Sequence, residues 1–253
     1  MQYFKTPKHL TYDRHMFFSS LGARNRHPEL IDDPALDTAS HRAALVGLAR
    51  INRFSNSAGV LWPSLQKLAA AIPDRPLRVL DVATGSGDVP LALVQKAAQA
   101  GVKIEVVGLD FSQVAIAEAE VRAETCKHEN LRFQVMDVLK QPLPEGFDAV
   151  ICSLFAHHLD NADVVKLLKA MKHATSRLVL INDLARSRGN YLQIWIASHI
   201  LSASRVVHVD GPLSVRAAFT PDVMKTFADA AGMIGAKVES RFPCRMLLSW
   251  EKK

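Results

Sequence analysis

The sequence predicts an α/β fold, a doubly wound seven-stranded sheet with helices on both of its faces. From residue 77 onward, short apolar runs typical of strands alternate with runs of helical periodicity. The last two strand-like runs, at 237–240 and 246–250, have no helix between them and can form a closing hairpin. We therefore expect the strand order 3-2-1-4-5-7-6, with strand seven antiparallel.

The other predicted elements end at recognisable local signals. A Gly-x-Gly turn separates the first strand from the first helix, and Gly101 ends that helix. Ser112 is placed to cap the second helix, and Thr220 followed by Pro221 is a typical helix start. The remaining predicted strands are 78–82, 104–109, 131–136, 148–153 and 178–182, and the predicted helices are 88–100, 112–126, 162–173, 191–201 and 220–232.

Two segments do not belong to this alternation. Residues 1–74 precede the first strand, and residues 185–219 lie between strand five and the last helix. Both mix aromatic and aliphatic residues with histidine and arginine, a composition that suits an apolar pocket with a few orienting polar groups. We expect 1–74 to form a helical N-terminal lid, 75–253 to form the sheet domain, and the insertion 185–219 to complete the lid.

The composition limits the class of protein. With 253 residues, 49% of them hydrophobic, the chain can bury one sizeable core. Cys126, Cys152 and Cys244 show neither a disulfide framework nor metal-ligand spacing, so we expect a cytoplasmic protein without a metal. No apolar run is long enough to span a membrane. The net charge of +6 suits RNA or an anionic surface, but no RNA-binding module is visible.

The Gly-x-Gly turn after strand one is flanked by carboxylates. Asp81 lies at the end of the strand, Gly85 and Gly87 form the turn, and Asp88 opens the helix. A dinucleotide site would place a pyrophosphate over this turn and favour a third glycine, where this chain has Pro90. Negative charge suits a ligand with an amine and a sulfonium better than one with phosphates. The turn therefore favours S-adenosylmethionine.

Further motifs lie at the ends of the predicted strands: the acid Asp110, the Met-Asp-Val step at 136–138, and the strand at 147–153. Together with the turn, they resemble the class I S-adenosylmethionine-dependent methyltransferases over residues 77–253. The other segments are similar to bacterial small-molecule methyltransferases found beside polyketide synthases and flavin hydroxylases. Ubiquinone- and menaquinone-type C-methyltransferases are more distant relatives. The similarity to the bacterial small-molecule methyltransferases rests on the sequence segments 29–34, 48–53, 153–159, 182–184 and 208–216.

The resemblance implies how the cofactor is bound. The glycine turn lies against its methionine and ribose, Asp81 near its amine, and Asp110 on both ribose hydroxyls. Asp137 and Val138 bind the adenine, and Ser153 closes the methionine side. The implied cofactor-binding residues are Asp81, Ala83, Thr84, Gly85, Gly87, Asp110, Phe111, Asp137, Val138 and Ser153. The expected product is S-adenosylhomocysteine.

Methyl transfer to a phenolic oxygen or an aromatic carbon gains from a base with a pKa near 7, which histidine provides. His157 and His158 follow strand four, and we favour His157 as the one that faces the acceptor; helix capping or a surface position is the alternative. His208 is a second candidate, with Asp210 on the same side if this segment is extended. The acceptor-binding candidates are Arg53, Phe17, Tyr191, Trp195 and Arg216.

The predicted function is methyl transfer from S-adenosylmethionine to oxygen or carbon of a small aromatic, phenolic, polyketide-derived acceptor. One alternative is an RNA-modifying methyltransferase that uses the basic N-terminal segment. Another is a non-catalytic adenosylmethionine-binding protein. No Asn-Pro-Pro-Tyr-like tetrapeptide follows strand four, which disfavours a nucleic-acid partner. The sequence leaves open the acceptor's identity, the choice between oxygen and carbon, and whether the protein is a homodimer.

Overall fold

A computed structural model of the chain describes residues 21–33, 35–126, 128 and 130–252. Its strands are β1 Leu77–Val82, β2 Ile104–Asp110, β3 Leu131–Val135, β4 Phe147–Ser153, β5 Thr175–Leu184, β6 Lys237–Arg241 and β7 Arg245–Glu251. They form one sheet in the order β3-β2-β1-β4-β5-β7-β6, which confirms the predicted order. Strand β7 pairs antiparallel with β5 and β6, and the other pairs are parallel.

The helices flank the sheet and cover its carboxyl edge. In the described ranges they are α1 Thr38–Ser55, α2 Ser57–Ala70, α3 Asp88–Gln99, α4 Gln113–Thr125, α5 Asn161–Ala174, α6 Arg188–Leu201, α7 Arg205–Ala217 and α8 Pro221–Ala230. None of these helices is both long and apolar enough to cross a lipid bilayer.

Helix α7 differs from the expectation of an extended segment around His208. Pro212 lies inside the helix, where proline is disfavoured because it lacks an N–H and crowds the preceding turn. Gly211 compensates through packing: a Cβ there would lie 3.0 Å from Ile194 of α6, so the two helices approach closely. Residues two apart on a helix point to different sides, so the expectation that His208 and Asp210 share a side is wrong.

The sheet is buried on both faces, and alternation along the strands decides which side chains go to which face. One face packs Leu80, Val150 and Val179 against helices α5 and α8. The opposite face packs Val79 and Leu180 against helices α2 and α3.

Helix α2 belongs to the core of the sheet. Leu61 and Leu65 are fully buried and share a hydrophobic cluster with Leu77 and Val79 of β1. Helix α1 instead contacts α6 and α7 above the sheet edge. The residues before β1 therefore contribute both to the core and to the cover over the carboxyl ends of the strands.

Candidate active site

The turn after β1 leaves space for a ligand. Ala83 and Gly85 have positive φ angles of 58° and 55°, and a Cβ built on Gly85 would meet no atom within 4 Å. Gly87, with φ of 78°, is the N-cap residue directly before α3, and a Cβ there would lie 2.9 Å from the Phe133 ring. Gly85 thus opens the turn towards a ligand, whereas Gly87 is needed for close packing of the turn on β3.

Asp81 lies below this turn and is 1% exposed. The hydroxyl of Thr84 donates to one carboxylate oxygen at 2.6 Å, and the other oxygen is buried without a hydrogen-bond partner. Burial raises the pKa of Asp81 to about 7, and the nearby Asp110 adds to the effect. A buried carboxylate with one unpaired oxygen is suited to receive a cation.

Two further polar side chains share this face of the sheet with Asp81. Ser153 of β4 and Asn182 of β5 are register partners, and the Ser153 hydroxyl and both polar atoms of the Asn182 amide are buried without hydrogen bonds. Buried polar groups are normally hydrogen-bonded, so unpaired polar groups at the carboxyl ends of the strands indicate a ligand. An amino acid zwitterion, such as the methionine end of S-adenosylmethionine, offers an ammonium to Asp81 and a carboxylate to Ser153 and Asn182. The residues present therefore fit the cofactor.

The ribose and adenine positions predicted along β2 and β3 lie beside this cradle. Asp110 is buried and accepts hydrogen bonds from the backbone N–H groups of Gly85 and Ser112, both at 2.9 Å, so it fixes the shape of the turn. Phe111 follows it and is 72% exposed, which leaves an aromatic face free to stack. A hydrogen bond from Lys140 lowers the pKa of Asp137, and its ion pair with Lys140 is 2.8 Å long. Val138 is buried.

His157 lies in a single turn of 3₁₀ helix that follows β4, and it forms a buried pair with Asp183 of β5. Its Nδ1 lies 2.6 Å from one Asp183 oxygen, and its backbone N–H donates to the other at 3.0 Å. Burial alone would raise the pKa of Asp183, but the charge and hydrogen bond of His157 outweigh it and lower that pKa, with help from buried Arg245. An ionised Asp183 fixes the tautomer of His157 and leaves Nε2 as the nitrogen that can take a proton.

His158 lies on the outer side of the same turn. Its ring centroid is 4.1 Å from that of His157. Desolvation, and then the proximity of His157, lower the pKa of His158 to about 4, so its imidazole is neutral at pH 7. Glu29 reaches the pair from the N-terminal segment, and one ligand atom from each of the three residues lies within 4.8 Å of the others. The positive charges of the Arg24 and Arg26 guanidinium groups also act on His158, and they disfavour a bound cation at this cluster.

His208 is engaged elsewhere. Its Nε2 lies 2.8 Å from the carbonyl of Ser202, and its ring stacks on His199 at 4.1 Å. His199 in turn packs on Trp195 at 4.5 Å, so Trp195 and His208 form one aromatic stack between α6 and α7. Asp210 faces the N-terminal segment, where its two oxygens accept from the backbone N–H groups of Leu30 and Ile31.

The remaining predicted acceptor residues divide into two groups. Tyr191 and Arg216 are both buried, with the guanidinium 5.3 Å from the ring centroid, so they pack together in the cover over the sheet edge. Phe17 lies outside the described residues. Arg53 falls on α1, and its side chain is likewise outside the described part. Acceptor binding by these residues stays a prediction.

The sequence interpretation did not single out Asn182, Asp183 or Glu29 as site residues. A signal for Asp183 existed, because an acid ends the apolar run of strand five as it does in strands one to three. In the structure β5 extends through Asp183 to Leu184, so Asn182 and Asp183 point to opposite faces of the sheet. Glu29 carried no local signal, since its contact with the histidines depends on the path of the N-terminal segment.

Comparison with known proteins agrees with this geometry. Residues 79–177 match a family described as a methyltransferase domain. The chain is 31% identical over 173 residues to the demethylmenaquinone methyltransferase of Thermus thermophilus. The aligned region covers 64% of this chain and 76% of that protein. It is 36% identical over 115 residues to the Deinococcus radiodurans protein of the same name, covering 45% of this chain and 46% of that protein. The chain thus spans less than half of the Deinococcus relative.

A solved structure shows the same fold at low sequence identity. The plantazolicin methyltransferase BpumL, in complex with SAH, superimposes with a TM-score of 0.62 at 14% identity, covering 86% of this chain and 91% of that one. This likeness supports the arrangement of sheet and helices. The side chains of the site must be argued from this chain's own residues.

Proposed function

Because the chain belongs to the class I S-adenosylmethionine-dependent methyltransferases, we propose that it transfers a methyl group from S-adenosylmethionine to oxygen or carbon of a small aromatic, phenolic acceptor. The observation that carries the catalytic part of this proposal is the buried His157–Asp183 pair at the carboxyl ends of β4 and β5, on the opposite face of the sheet from the cofactor cradle. It supplies an oriented proton acceptor in the region where the acceptor would enter.

The cradle supports binding of the cofactor by its amino acid end. Asp81 offers an unpaired oxygen to the ammonium group, and Ser153 and Asn182 offer unpaired donors to the carboxylate. Asp110 retains lone pairs for the ribose hydroxyls while it holds Gly85 in place. When bound, the cofactor supplies a methyl group already activated by its sulfonium.

His157 is proposed to take the acceptor's proton at Nε2. Asp183 holds Nδ1 and stabilises the imidazolium that forms, as the carboxylate of a hydrolase triad does for its histidine. Removal of the proton makes a phenol oxygen, or the conjugated ring carbon, a better nucleophile. The rest of catalysis is proximity, which the cover formed by the N-terminal segment, α6 and α7 provides by holding the acceptor and excluding water.

The acceptor class rests on the surroundings of this base. Arg24 and Arg26 give the entrance positive charge, which suits an acidic phenol and its phenolate. The curated relatives are named for demethylmenaquinone, a quinone, which supports an aromatic ring as the acceptor.

The test is methyl transfer from labelled cofactor to a panel of phenols and alkylresorcinols, followed by mass spectrometry of the products. His157→Ala should lower the rate of the chemical step by roughly 10²- to 10⁴-fold without changing cofactor affinity. Asp183→Asn should lower it as well, because the wrong tautomer is then favoured. His173→Ala is the matched control, since that histidine is exposed and pairs with exposed Glu145.

Each outcome separates the alternatives. Turnover of any phenol excludes a non-catalytic binder. Methylation of RNA with no phenol methylated would favour the RNA-modifying alternative, and binding to RNA would then weaken steeply with salt. A His157→Ala enzyme with normal single-turnover rates would contradict the proposed base.

A further inference from the structure

Arg24 links the N-terminal segment by hydrogen bonds to the turn that contains His157. Its guanidinium donates from Nε to the carbonyl of Ala217 at 2.5 Å and from one terminal nitrogen to the carbonyls of His157 and Leu159, both at 2.8 Å. The guanidinium also lies 3.9 Å from the centroid of the Phe219 ring. One side chain therefore binds the backbone of the turn on both sides of His158 and joins it to the end of α7.

The turn is thus held from two directions. On the inner side, Asp183 binds both the ring and the backbone N–H of His157. On the outer side, Arg24 binds the carbonyls of the same turn. The turn is one 3₁₀ turn, Ala156–His158, preceded by Leu154 in a left-handed conformation with φ of 57°. So short a segment has few hydrogen bonds of its own, and its position depends on these outside partners.

Residues 21–33, which we name the strap, are docked as a unit along α7. Buried Asp210 binds the N–H groups of Leu30 and Ile31 at 2.8 and 3.0 Å. Glu29 accepts a hydrogen bond from Ser214, and the N–H of Asn25 donates to the carbonyl of Arg216 at 3.1 Å. These contacts place Arg24 over the turn, so strap docking and the position of His157 are coupled.

We propose that Arg24 is a positioning residue for the base, and that the docked strap is required for His157 to reach its working geometry. This inference rests on the proposed function, because it assumes that His157 takes the acceptor's proton. A guanidinium is needed at this position because it donates in several directions from one plane while it stacks on Phe219. A lysine would keep the positive charge but not the planar set of N–H donors that reaches three carbonyl groups.

The experiment compares Arg24→Ala and Arg24→Lys with Arg75→Gln in the full-length chain. Arg75 is the matched control, because it binds Asp148 of the same strand β4 through two bonds of 2.6 and 2.7 Å, at the other end of the sheet. Arg24→Ala should lower kcat by roughly 10- to 100-fold, the cost of a misplaced catalytic group, with the cofactor Kd unchanged. Arg24→Lys should recover only part of that loss, and Arg75→Gln should keep kcat.

The decisive measurement is the double variant with His157→Ala. If Arg24 acts through His157, the double variant should be no slower than His157→Ala alone. Should the two losses multiply, Arg24 acts independently of the base and the proposal is overturned; an unchanged kcat in Arg24→Ala overturns it too. If His157→Ala itself keeps normal turnover, the proposed function has failed first. Asp210→Ala removes both oxygens that hold Leu30 and Ile31, so it releases the strap at its other end and should reproduce the kcat loss; this keeps the test available if Arg24→Ala does not fold.

Discussion

Asp81 lets the proposed cofactor site be tested by proton counting. The carboxyl is 1% exposed, and burial raises its pKa to about 7 in the protein without cofactor. An ammonium group placed beside its unpaired oxygen would favour the ionised form. Cofactor binding below pH 7 should therefore expel a proton from Asp81. The Asp81→Asn substitution keeps the shape of the side chain and removes this proton.

The magnitude follows from the shift. Between the unperturbed Asp pKa of about 3.9 and the folded value of about 7, the folded chain retains a proton that the unfolded chain has released. The free energy of unfolding should therefore fall as pH rises through this window, by about 4 kcal/mol for this group alone. Above pH 7 the contribution is constant. At pH 6, where the cofactor's amine is still an ammonium, binding should release about 0.9 proton.

Two measurements test these values. Thermal or denaturant unfolding between pH 4 and pH 8 should show wild type losing stability relative to Asp81→Asn as pH rises. Calorimetric titration of cofactor at pH 6, in two buffers of different ionisation enthalpy, gives the number of protons released. Asp81→Asn should release close to none and bind the cofactor more weakly. Asp88→Asn is the control, because Asp88 flanks the same turn but is half exposed and pairs with Arg122.

Two results would refute the reasoning. Equal proton release from wild type and Asp81→Asn would show that this carboxyl does not receive the ammonium. Parallel stability curves for the two proteins would show that it does not carry a raised pKa. The first result would remove Asp81 from the proposed cradle, and the second would remove the raised pKa from which the proton release is derived.

Three further variants test other parts of the site and its cover. Asp110→Ala should weaken cofactor binding by about 1.5–3 kcal/mol in calorimetry, because charge-assisted hydrogen bonds are lost, while Glu105→Ala on the exposed side of β2 should not. Gly47→Ala should lower Tm despite alanine's better helix propensity, since a Cβ there would lie 2.9 Å from the Ser202 Cβ and 3.1 Å from Val207; Tm unaffected by the change would contradict this close packing. Asn182→Ala should raise cofactor Kd and leave the single-turnover rate at saturating cofactor unchanged, and a slowed rate with normal Kd would reverse its assignment.

The strand pattern and the topology were predictable because they depend on local periodicity and on general rules of sheet construction. The apolar runs from Val79 to Leu180 are buried on both faces, so their alternation with helices specifies a parallel sheet. Helix α7 was not predictable in the same way. Pro212 and Gly211 argue against a helix locally, yet the helix forms with Gly211 packed closely against Ile194 of α6. That contact joins segments that no local pattern connects.

The cofactor cradle and the base also differ in how far a local sequence pattern predicts them. Asp81 and Gly85 carry a local signature, and the structure places them around an open turn with an unpaired oxygen. His157 was chosen only as one of two adjacent histidines, because nothing local says which ring faces inward. The choice is made by Asp183, which lies 26 residues away and meets His157 only after β4 and β5 pair. The strap's contacts with α7 span still longer separations and leave no pattern in the sequence.

Strand alternation explains how one sheet edge supports two separate tasks. Asn182 and Asp183 are consecutive residues of β5, so one side chain joins the cradle with Asp81 and Ser153 while the next pairs with His157 on the opposite face. Cys152 is buried on β4, the strand between β1 and β5; desolvation and the negative charges of Asp183 and Asp81 raise the pKa of its thiol well above the usual value, so it remains neutral. The proposed binding of the cofactor's carboxylate by Asn182 and the proposed orientation of the base by Asp183 therefore depend on consecutive residues of the same strand.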